Sequence, residues 1–466
     1  MNKDFFKATL LVICIIFSVG IIAWLIPGCE QGSVKIKKLK WFGWLSPSRD
    51  TTAVVVNDQA LEEAANYQND TSPLQPLLRK LKKAKAEHGY LRIAYYGDSI
   101  IEGDLITQQL RYNLQSRFGG SGIGFMPITS ITANFRRTIR HSFAKNWESL
   151  SFMTKTNSDI PLGIGGFTYI PRNFYTVQQA QSVQVDSLVD STSVAPVEPA
   201  KKTVQRFYLD TPPWVKYQAT ALPGGANQFD RIRLFYSHAK AGATILVSFD
   251  DKPGIRYNLN SGAALQTLDL TQGTPLKGIR LEFNIADEAH VYGISFDQPT
   301  GIFVDNYSIR GYSGMYFQRI PQQLLSQFQN QLKYDLIILQ YGENVSNPKA
   351  TNYEFYKAGM IKTIRHLQAA YPDVPILLIS AHDRSIKQET GYVTSPDIPF
   401  LIKAQVDIAQ ETGCAFWNLY EAMGGKDSMQ SYVKHNPAWA SKDFTHFNQA
   451  GANHIADMLT EFLLKQ

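Results

Sequence analysis

The sequence predicts an α/β protein with a three-layer α/β/α core on a mostly parallel sheet, interrupted by an all-β sandwich. Three observations lead there. Apolar strand-like runs alternate with helical patterns around residues 91–118 and again after residue 301. Between them lie short β-rich segments with little helical periodicity. Small and polar residues end the strand-like runs, where open α/β folds place their sites.

The elements follow in order. Residues 73–88 read as an amphipathic helix with a lysine-rich, solvated outer face. Leu91-Arg-Ile-Ala-Tyr-Tyr96 reads as a buried strand and 105–118 as a helix. The later alternation is helix 321–332, strand 334–340, helix 353–370, strand 374–380, helix 402–411, strand 414–419 and a closing helix 451–465. The middle supplies strands at 203–208, 231–236, 243–249, 278–283 and 290–296, separated by turns such as Gly224-Gly225 and Lys252-Pro-Gly254. Residues 178–202, rich in Ser, Val, Asp, Gln and Pro, are expected to form a mobile loop. The expected organisation is a signal anchor or signal peptide at 1–28 and a juxtamembrane spacer and helix at 29–85. The α/β domain then takes 86–140 and 301–466, and the inserted β-sandwich 141–300.

The 466 residues leave room for two to four domains; 44% hydrophobic content suffices for sizeable cores, and 18% charged content excludes wholesale disorder. The formal charge of +6 suits an anionic glycan or a membrane surface but alone predicts neither. Residues 8–26 are almost continuously apolar, come after Lys3 and Lys7, and are long enough to span a bilayer. Pro27 makes the sequence before Cys29 a poor lipoprotein cleavage site. Lys35, Lys37, Lys38 and Lys40 argue against export of the chain beyond the apolar run. Of three cysteines, Cys14 and Cys29 belong to the apolar run or its edge. Cys414 alone lies in the folded body, so no intradomain disulfide forms, and it reads as a core residue. No His/Cys/Glu spacing suits a metal, and no ordered basic–aromatic tract suggests nucleic acid.

The chemistry-bearing residues come in four blocks. Gly97-Asp98-Ser99 stands where the first strand ends, followed by Glu102-Gly103-Asp104. Asn306-Tyr-Ser-Ile-Arg-Gly311 and Gly342-Glu343-Asn344 each follow a strand-like run. Asp443-Phe-Thr-His446 precedes the closing helix and is followed by Phe447-Asn-Gln-Ala-Gly451. A serine hydroxyl needs a base to act as nucleophile, and a histidine oriented by a carboxylate is such a base. The i, i+3 spacing of Asp443 and His446 lets one turn carry both.

Ser, Gly, Asn and His in this order resemble the SGNH (GDSL-type) hydrolases, whose flavodoxin-like core matches the predicted fold. One departure is visible: the third block usually reads Gly-x-Asn-Asp, and Val345 replaces the final Asp. The β-insert, with Arg117-Phe-Gly-Gly-Ser-Gly-Ile-Gly-Phe125 and Asn306-Tyr-Ser-Ile-Arg-Gly-Tyr-Ser-Gly314, resembles more narrowly the peptidoglycan O-acetylesterases of the bacterial envelope, whose insert is carbohydrate-binding-module-like. The resemblance implies Ser99 as nucleophile, His446 as base and Asp443 as its orienting carboxylate. It also implies an oxyanion hole from the Ser99 and Gly311 N–H groups and the Asn344 side chain, with no metal or organic cofactor.

The implied activity is removal of O-acetyl groups from a cell-envelope polysaccharide, peptidoglycan first, by a periplasmic enzyme held to the membrane by its N-terminal segment or secreted after its cleavage. Competing readings are an acetylesterase on another glycan such as xylan, an SGNH-type O-acetyltransferase, and a non-catalytic glycan-binding envelope protein. Asp98 reads as a structural group bonding turn amides, and His382, just past a strand, as a possible substrate contact lining the cleft. His454 reads as core or surface. Arg136, Arg137 and Arg140 read as a solvated face, with glycan carboxylates or phospholipid as the alternative partner. Trp214, Tyr217, Tyr236 and Tyr257 are either sandwich core or sugar-stacking residues.

Overall fold

The computed structural model describes residues 57–87, 89–154, 160–172, 174–179, 203–286, 288–389 and 391–465. The apolar run 8–26, Cys14, Cys29, the lysines after it, most of the expected spacer and 180–202 of the expected loop lie outside the described residues. No helix among the described residues is long and apolar enough to cross a membrane.

Five strands form the parallel sheet: β1 (Tyr90–Gly97), β2 (Gly301–Ser308), β3 (Leu336–Gln340), β4 (Ile376–Ile379) and β5 (Ala415–Trp417). Their spatial order is 2-1-3-4-5, with every pairing parallel. That order puts a topological switch point between β1 and β3, where open α/β sheets hold their ligands. The strands read as unbroken apolar runs because both faces are covered. Leu91, Ile93 and Tyr95 of β1 and Ile338 of β3 face one helical layer, whereas Ala94, Tyr96, Ile337 and Leu339 face the other. The first layer holds α2 (Gln75–Glu87), α3 (Thr107–Phe118) and α7 (Gln449–Leu464); the second holds α4 (Gln322–Leu332), α5 (Glu354–Ala370) and α6 (Ile398–Thr412). Caps set the helix ends. Gly413 in the left-handed region (φ +70°) closes α6, and the Asn448 side chain accepts from the Ala450 and Gly451 N–H groups at the start of α7.

Residues 57–71, the described part of the expected spacer, belong to this core. Helix α1 (Asp58–Ala65) buries Leu61 and Ala64, and Asp70 pairs antiparallel with Phe416 on the free edge of β5. Asn418 ties the segment down, with Nδ2 donating to the Ala64 and Tyr67 carbonyls and its N–H to Asn69 Oδ1. An eight-residue helix offers too few turns for its period to stand out, so the segment reads as polar and aperiodic.

The β-region is two antiparallel sheets packed face to face. One orders Ile255–Asn258, Thr244–Phe249, Gly278–Ile285, Trp214–Ala219 and Ile139–Phe143. The other orders Gln266–Asp269, Arg231–Ser237, His290–Asp297, Phe167–Pro171 and Trp147–Ser151, with Gly124–Met126 added on His290–Asp297. Val215, Tyr217, Ile245 and Leu281 meet Ile232, Leu234, Tyr236 and Ile294 between the sheets. Gly124–Met126 and Ile139–Phe143 therefore join the sandwich from before residue 141. Thr203–Tyr208 pairs with Phe174–Gln179 in a separate two-stranded ribbon, off both sandwich sheets.

The second sheet is buried on both sides. Phe235 and Tyr292 point away from the sandwich core and pack on Phe328 of α4, with ring centroids 5.8 and 5.6 Å apart. Buried charges close the seam. Arg92 of β1 reaches Asp297 (2.9 Å) and Asp305 of β2 (2.7 Å), and Arg233 reaches Asp297 (2.9 Å). Asp305 also accepts from the Phe125 N–H at 2.8 Å and from the Tyr334 hydroxyl at 2.6 Å.

Candidate active site

Ser99 opens a short 3-10 turn directly after β1. Asp98 caps that turn, its Oδ1 accepting from the Ile100 N–H at 3.0 Å. The turn is fixed from below: Asp104 is buried against Arg111 (2.9 Å), whose Nη2 also donates to the Val304 carbonyl at 2.7 Å. Burial would raise the Asp104 carboxyl, but Arg111 and Arg136 overcome it and hold it well below the usual range. Asn306 Nδ2 donates to the Ile101 carbonyl (2.7 Å) and to Thr107 Oγ1 (2.8 Å), joining the second block to the first.

The last block reaches back over this turn. Ser99 Oγ lies 3.0 Å from His446 Nε2, and His446 Nδ1 lies 2.8 Å from Asp443 Oδ2. Asp443 Oδ1 accepts from the Thr445 and His446 N–H groups, both at 3.0 Å. Burial works to raise Asp443, but these backbone bonds and the imidazole outweigh it and hold its carboxyl below the usual value. Asp443 and His446 stay solvent-accessible, with side chains 51% and 43% exposed.

Asn344 and Gly311 (φ +78°) line the same cleft, a cavity of about 720 Å³, beside Ser99 and His446. Asn344 Nδ2 donates to Asp98 Oδ2 (2.8 Å) and to the Tyr312 carbonyl (3.1 Å). Both amide hydrogens are thus engaged, and an oxyanion ligand would have to displace the longer bond. Burial raises Asp98 to about 7, against the pull of its hydrogen bonds.

The structure brings together Ser99, Asp98, Gly311, Asn344, Asp443 and His446. It does not bring His382 to the cleft surface. That side chain is buried beneath the His446 loop, its Nε2 2.8 Å from the Thr445 carbonyl and its ring 4.9 Å from Phe447, so it is no substrate contact in this structure. Arg136 departs from the solvated-face reading: its side chain is 7% exposed and lies 3.2 Å from Asp104, whereas Arg137 and Arg140 are exposed. Tyr217 and Tyr236 are sandwich core; Trp214 and Tyr257 are half-buried, and Arg280 stacks on Trp214 at 4.1 Å. Cys414 is a buried free thiol.

Sequence reasoning passed over the Glu102–Arg310 ion pair and Glu343, both on the cleft. Glu343 sits between two residues of a recognised block, which was the available signal. Glu102, Gly103 and Arg310 also border a second cavity of about 440 Å³ whose other walls include Phe125, Phe167 and Tyr169 of the β-region. Among the described residues no group of three or more His, Cys, Asp or Glu is placed to hold a metal ion.

A 2-1-3-4-5 parallel sheet with a hydrogen-bonded Ser–His–Asp chain over its switch point defines a serine-hydrolase class of architecture. Residues 290–453 match the GDSL-like Lipase/Acylhydrolase family, a stretch that contains Gly311, Asn344, Asp443 and His446 but not Ser99. Over that stretch the chain is similar to this GDSL (SGNH) hydrolase family, an esterase family. Its fold is similar to that of a peptidoglycan O-acetylesterase, 22% identical, with a TM-score of 0.63 over 85% of this chain and 98% of that one. Slighter likenesses, both at a TM-score of 0.24, are to the acetyl xylan esterase AlAXEase and a family two carbohydrate esterase from Cellvibrio japonicus. The first is 17% identical over 34% of this chain and 78% of its own, the second 11% over 54% and 89%. No curated protein sequence matches the chain.

Proposed function

We propose that this esterase removes O-acetyl groups from a cell-envelope polysaccharide, peptidoglycan first, through an acyl-serine intermediate. The carrying observation is the Ser99–His446–Asp443 chain at 3.0 and 2.8 Å. His446 Nε2 takes the Ser99 proton as Oγ bonds to the acetyl carbonyl carbon. The oxyanion is received by the Ser99 and Gly311 N–H groups and by Asn344, which gives up the Tyr312 carbonyl while Asp98 holds its other hydrogen. Collapse breaks the ester bond, and His446 returns the proton to the departing sugar oxygen. Water then attacks the acyl-serine by the same route, and acetate leaves.

The substrate assignment is supported by the shared architecture with the O-acetylesterase and by an open cleft with exposed Phe135 and Arg310 beside it. In this reading the β-region helps to hold the polymer, and residues 8–26 take the enzyme to the envelope. The test is acetate release from O-acetylated peptidoglycan, with acetylated xylan beside it and Ser99→Ala as control. Release from peptidoglycan that vanishes in Ser99→Ala is expected. Release from xylan alone discards the peptidoglycan assignment; no release from either, with simple acetyl esters also untouched, discards the esterase reading in favour of acetyl transfer or binding.

A further inference from the structure

Glu343 and His382 are buried titratable groups that the acyl-transfer steps do not use. Their side chains are 8% and 2% exposed, and Glu343 Oε1 lies 3.2 Å from His382 Nδ1. It is a close ion-pair contact, and neither Glu343 oxygen has a hydrogen-bond partner in the structure. His382 Nε2 faces the Thr445 carbonyl at 2.8 Å. A carbonyl only accepts, so Nε2 carries a proton. Nδ1 then either carries a second proton opposite a carboxylate or offers its lone pair to a protonated Glu343. An ionised Glu343 beside a neutral His382 would set lone pair against lone pair in a buried site. Each tolerable arrangement holds one proton between the two side chains. Burial pushes Glu343 up to about 7 and His382 down to about 4, which favours the acid donating to the neutral imidazole.

The pair joins two parts of the site. Glu343 precedes Asn344 on the turn after β3, and Thr445 lies between Asp443 and His446. The loop bearing the base is exposed above. From below, the Ser385 N–H bonds the Phe444 carbonyl at 3.0 Å, and His382 bonds the Thr445 carbonyl. We propose that Glu343 and His382 are positioning residues, a buried pair sharing one proton that seats the Asp443–His446 loop over Ser99 and against the Asn344 turn. This rests on the Ser99–His446–Asp443 reading above. The groups facing the pair are Arg384, Asp397 and His446 on the Glu343 side, His446, Arg384 and Asp443 on the His382 side, and Asp98 beside Glu343.

The experiment measures kcat, KM and the pH profile of the full chain on 4-nitrophenyl acetate for Glu343→Ala, Glu343→Gln, His382→Ala and Ser99→Ala, with melting curves. A displaced base loop costs about 10- to 100-fold, so both alanine variants should lose that much kcat with KM little changed. Glu343→Gln should recover most of the loss, because its amide N–H donates to Nδ1 without titrating. It should also hold its activity above pH 7, where wild-type Glu343 gives up its proton. A glutamine variant as weak as the alanine variant, or alanine variants near the wild-type kcat, overturns the proposal. If the alanine variants do not fold, the glutamine pH profile decides: an alkaline limb unchanged from wild type overturns it. Ser99→Ala tests the underlying triad separately, since activity surviving there removes the triad whatever the pair does.

Discussion

Replacing Asp443 by asparagine should harm the enzyme more than replacing it by alanine. The carboxylate accepts three hydrogen bonds, two from the Thr445 and His446 N–H groups at 3.0 Å and one from His446 Nδ1 at 2.8 Å. Asparagine has one acceptor oxygen. Turned toward the backbone it keeps two bonds and sets its N–H against Nδ1; turned the other way it keeps one and aims donors at donors. Two against one favours the first orientation. His446 can accept at Nδ1 only by carrying its proton on Nε2, which faces Ser99 Oγ at 3.0 Å. The base is then in the wrong tautomer.

Alanine imposes no tautomer. The Asp443 side chain is half exposed, so water can reach both Nδ1 and the two backbone N–H groups after truncation. A wrong tautomer costs about 10,000-fold in kcat at a buried triad, which at about 1.36 kcal/mol per tenfold is about 5.4 kcal/mol. Exposure lets rotation of His446 recover part of this. The expected losses are about 1,000- to 10,000-fold for Asp443→Asn, or about 4 to 5.4 kcal/mol, and about 100-fold, or 2.7 kcal/mol, for Asp443→Ala. The assay is kcat/KM on 4-nitrophenyl acetate at pH 7.5, with Ser99→Ala as the floor. An asparagine variant as active as the alanine variant, or more so, refutes the reasoning.

Other perturbations test the frame and its charges. Arg92→Met leaves Asp305 without its buried cation and Asp297 with Arg233 alone, and should cost about 3 to 5 kcal/mol in chemical denaturation; a loss of about 1 kcal/mol or less would show that the seam behaves like a surface ion pair. Asp383 is buried, and its carboxyl is raised by that burial from 3.8 to about 7, so its contribution to stability is intact below 3.8 and lost as pH rises through about 7. Melting temperatures of Asp383→Asn and wild type should therefore diverge in the variant's favour from pH 5 to pH 8, and a constant difference contradicts this. At Gly451 an added Cβ would lie 1.8 Å from the Trp439 carbonyl oxygen. Gly451→Ala should lower the melting temperature and kcat together, because the displaced Trp439 segment also carries the Ser441 N–H that bonds the His446 carbonyl at 2.8 Å; an unchanged kcat argues against that coupling.

The core was legible in the sequence where burial is two-sided. Leu336–Gln340 and Ile376–Ile379 are strands with every residue buried, and such runs admit few other readings. The first three blocks were legible because each stands at the end of β1, β2 or β3, and the fourth because it precedes the closing helix. What stayed hidden depends on partners distant in sequence. Arg92 and Asp297 look like solvated charges until a fold brings them to 2.9 Å. Arg136 is separated from its carboxylate by more than thirty positions that include helix α3, and its neighbours Arg137 and Arg140 do face solvent. His382 was placed at a strand end, but a strand end does not reveal which loop lies over it. The Thr445 carbonyl and Phe447 decide that it is buried.

The position of the β-region is a consequence of the sheet order. It occupies the connection from β1 to β2, adjacent parallel strands that any crossover must join on the outside of the sheet. Its start borders the site, where the Ser99 turn leaves the carboxyl end of β1; its far end enters β2 at Gly301, and the chain returns to the site only past Ser308, at Arg310 and Gly311. A domain inserted there lies beside the cleft without interrupting β3, which leads to Asn344, or the loop that carries Asp443 and His446. The Glu102–Arg310 pair joins the start of that connection to the turn after β2 and borders both the cleft and the cavity of about 440 Å³ beneath the β-region. Arg92, Asp297 and Arg233 hold the same seam from the opposite ends of these strands. The walls of that cavity therefore join the β-region to the turn that Ser99 opens, whereas the His446 loop is held by His382 and Ser385 beyond β4 and leads into α7.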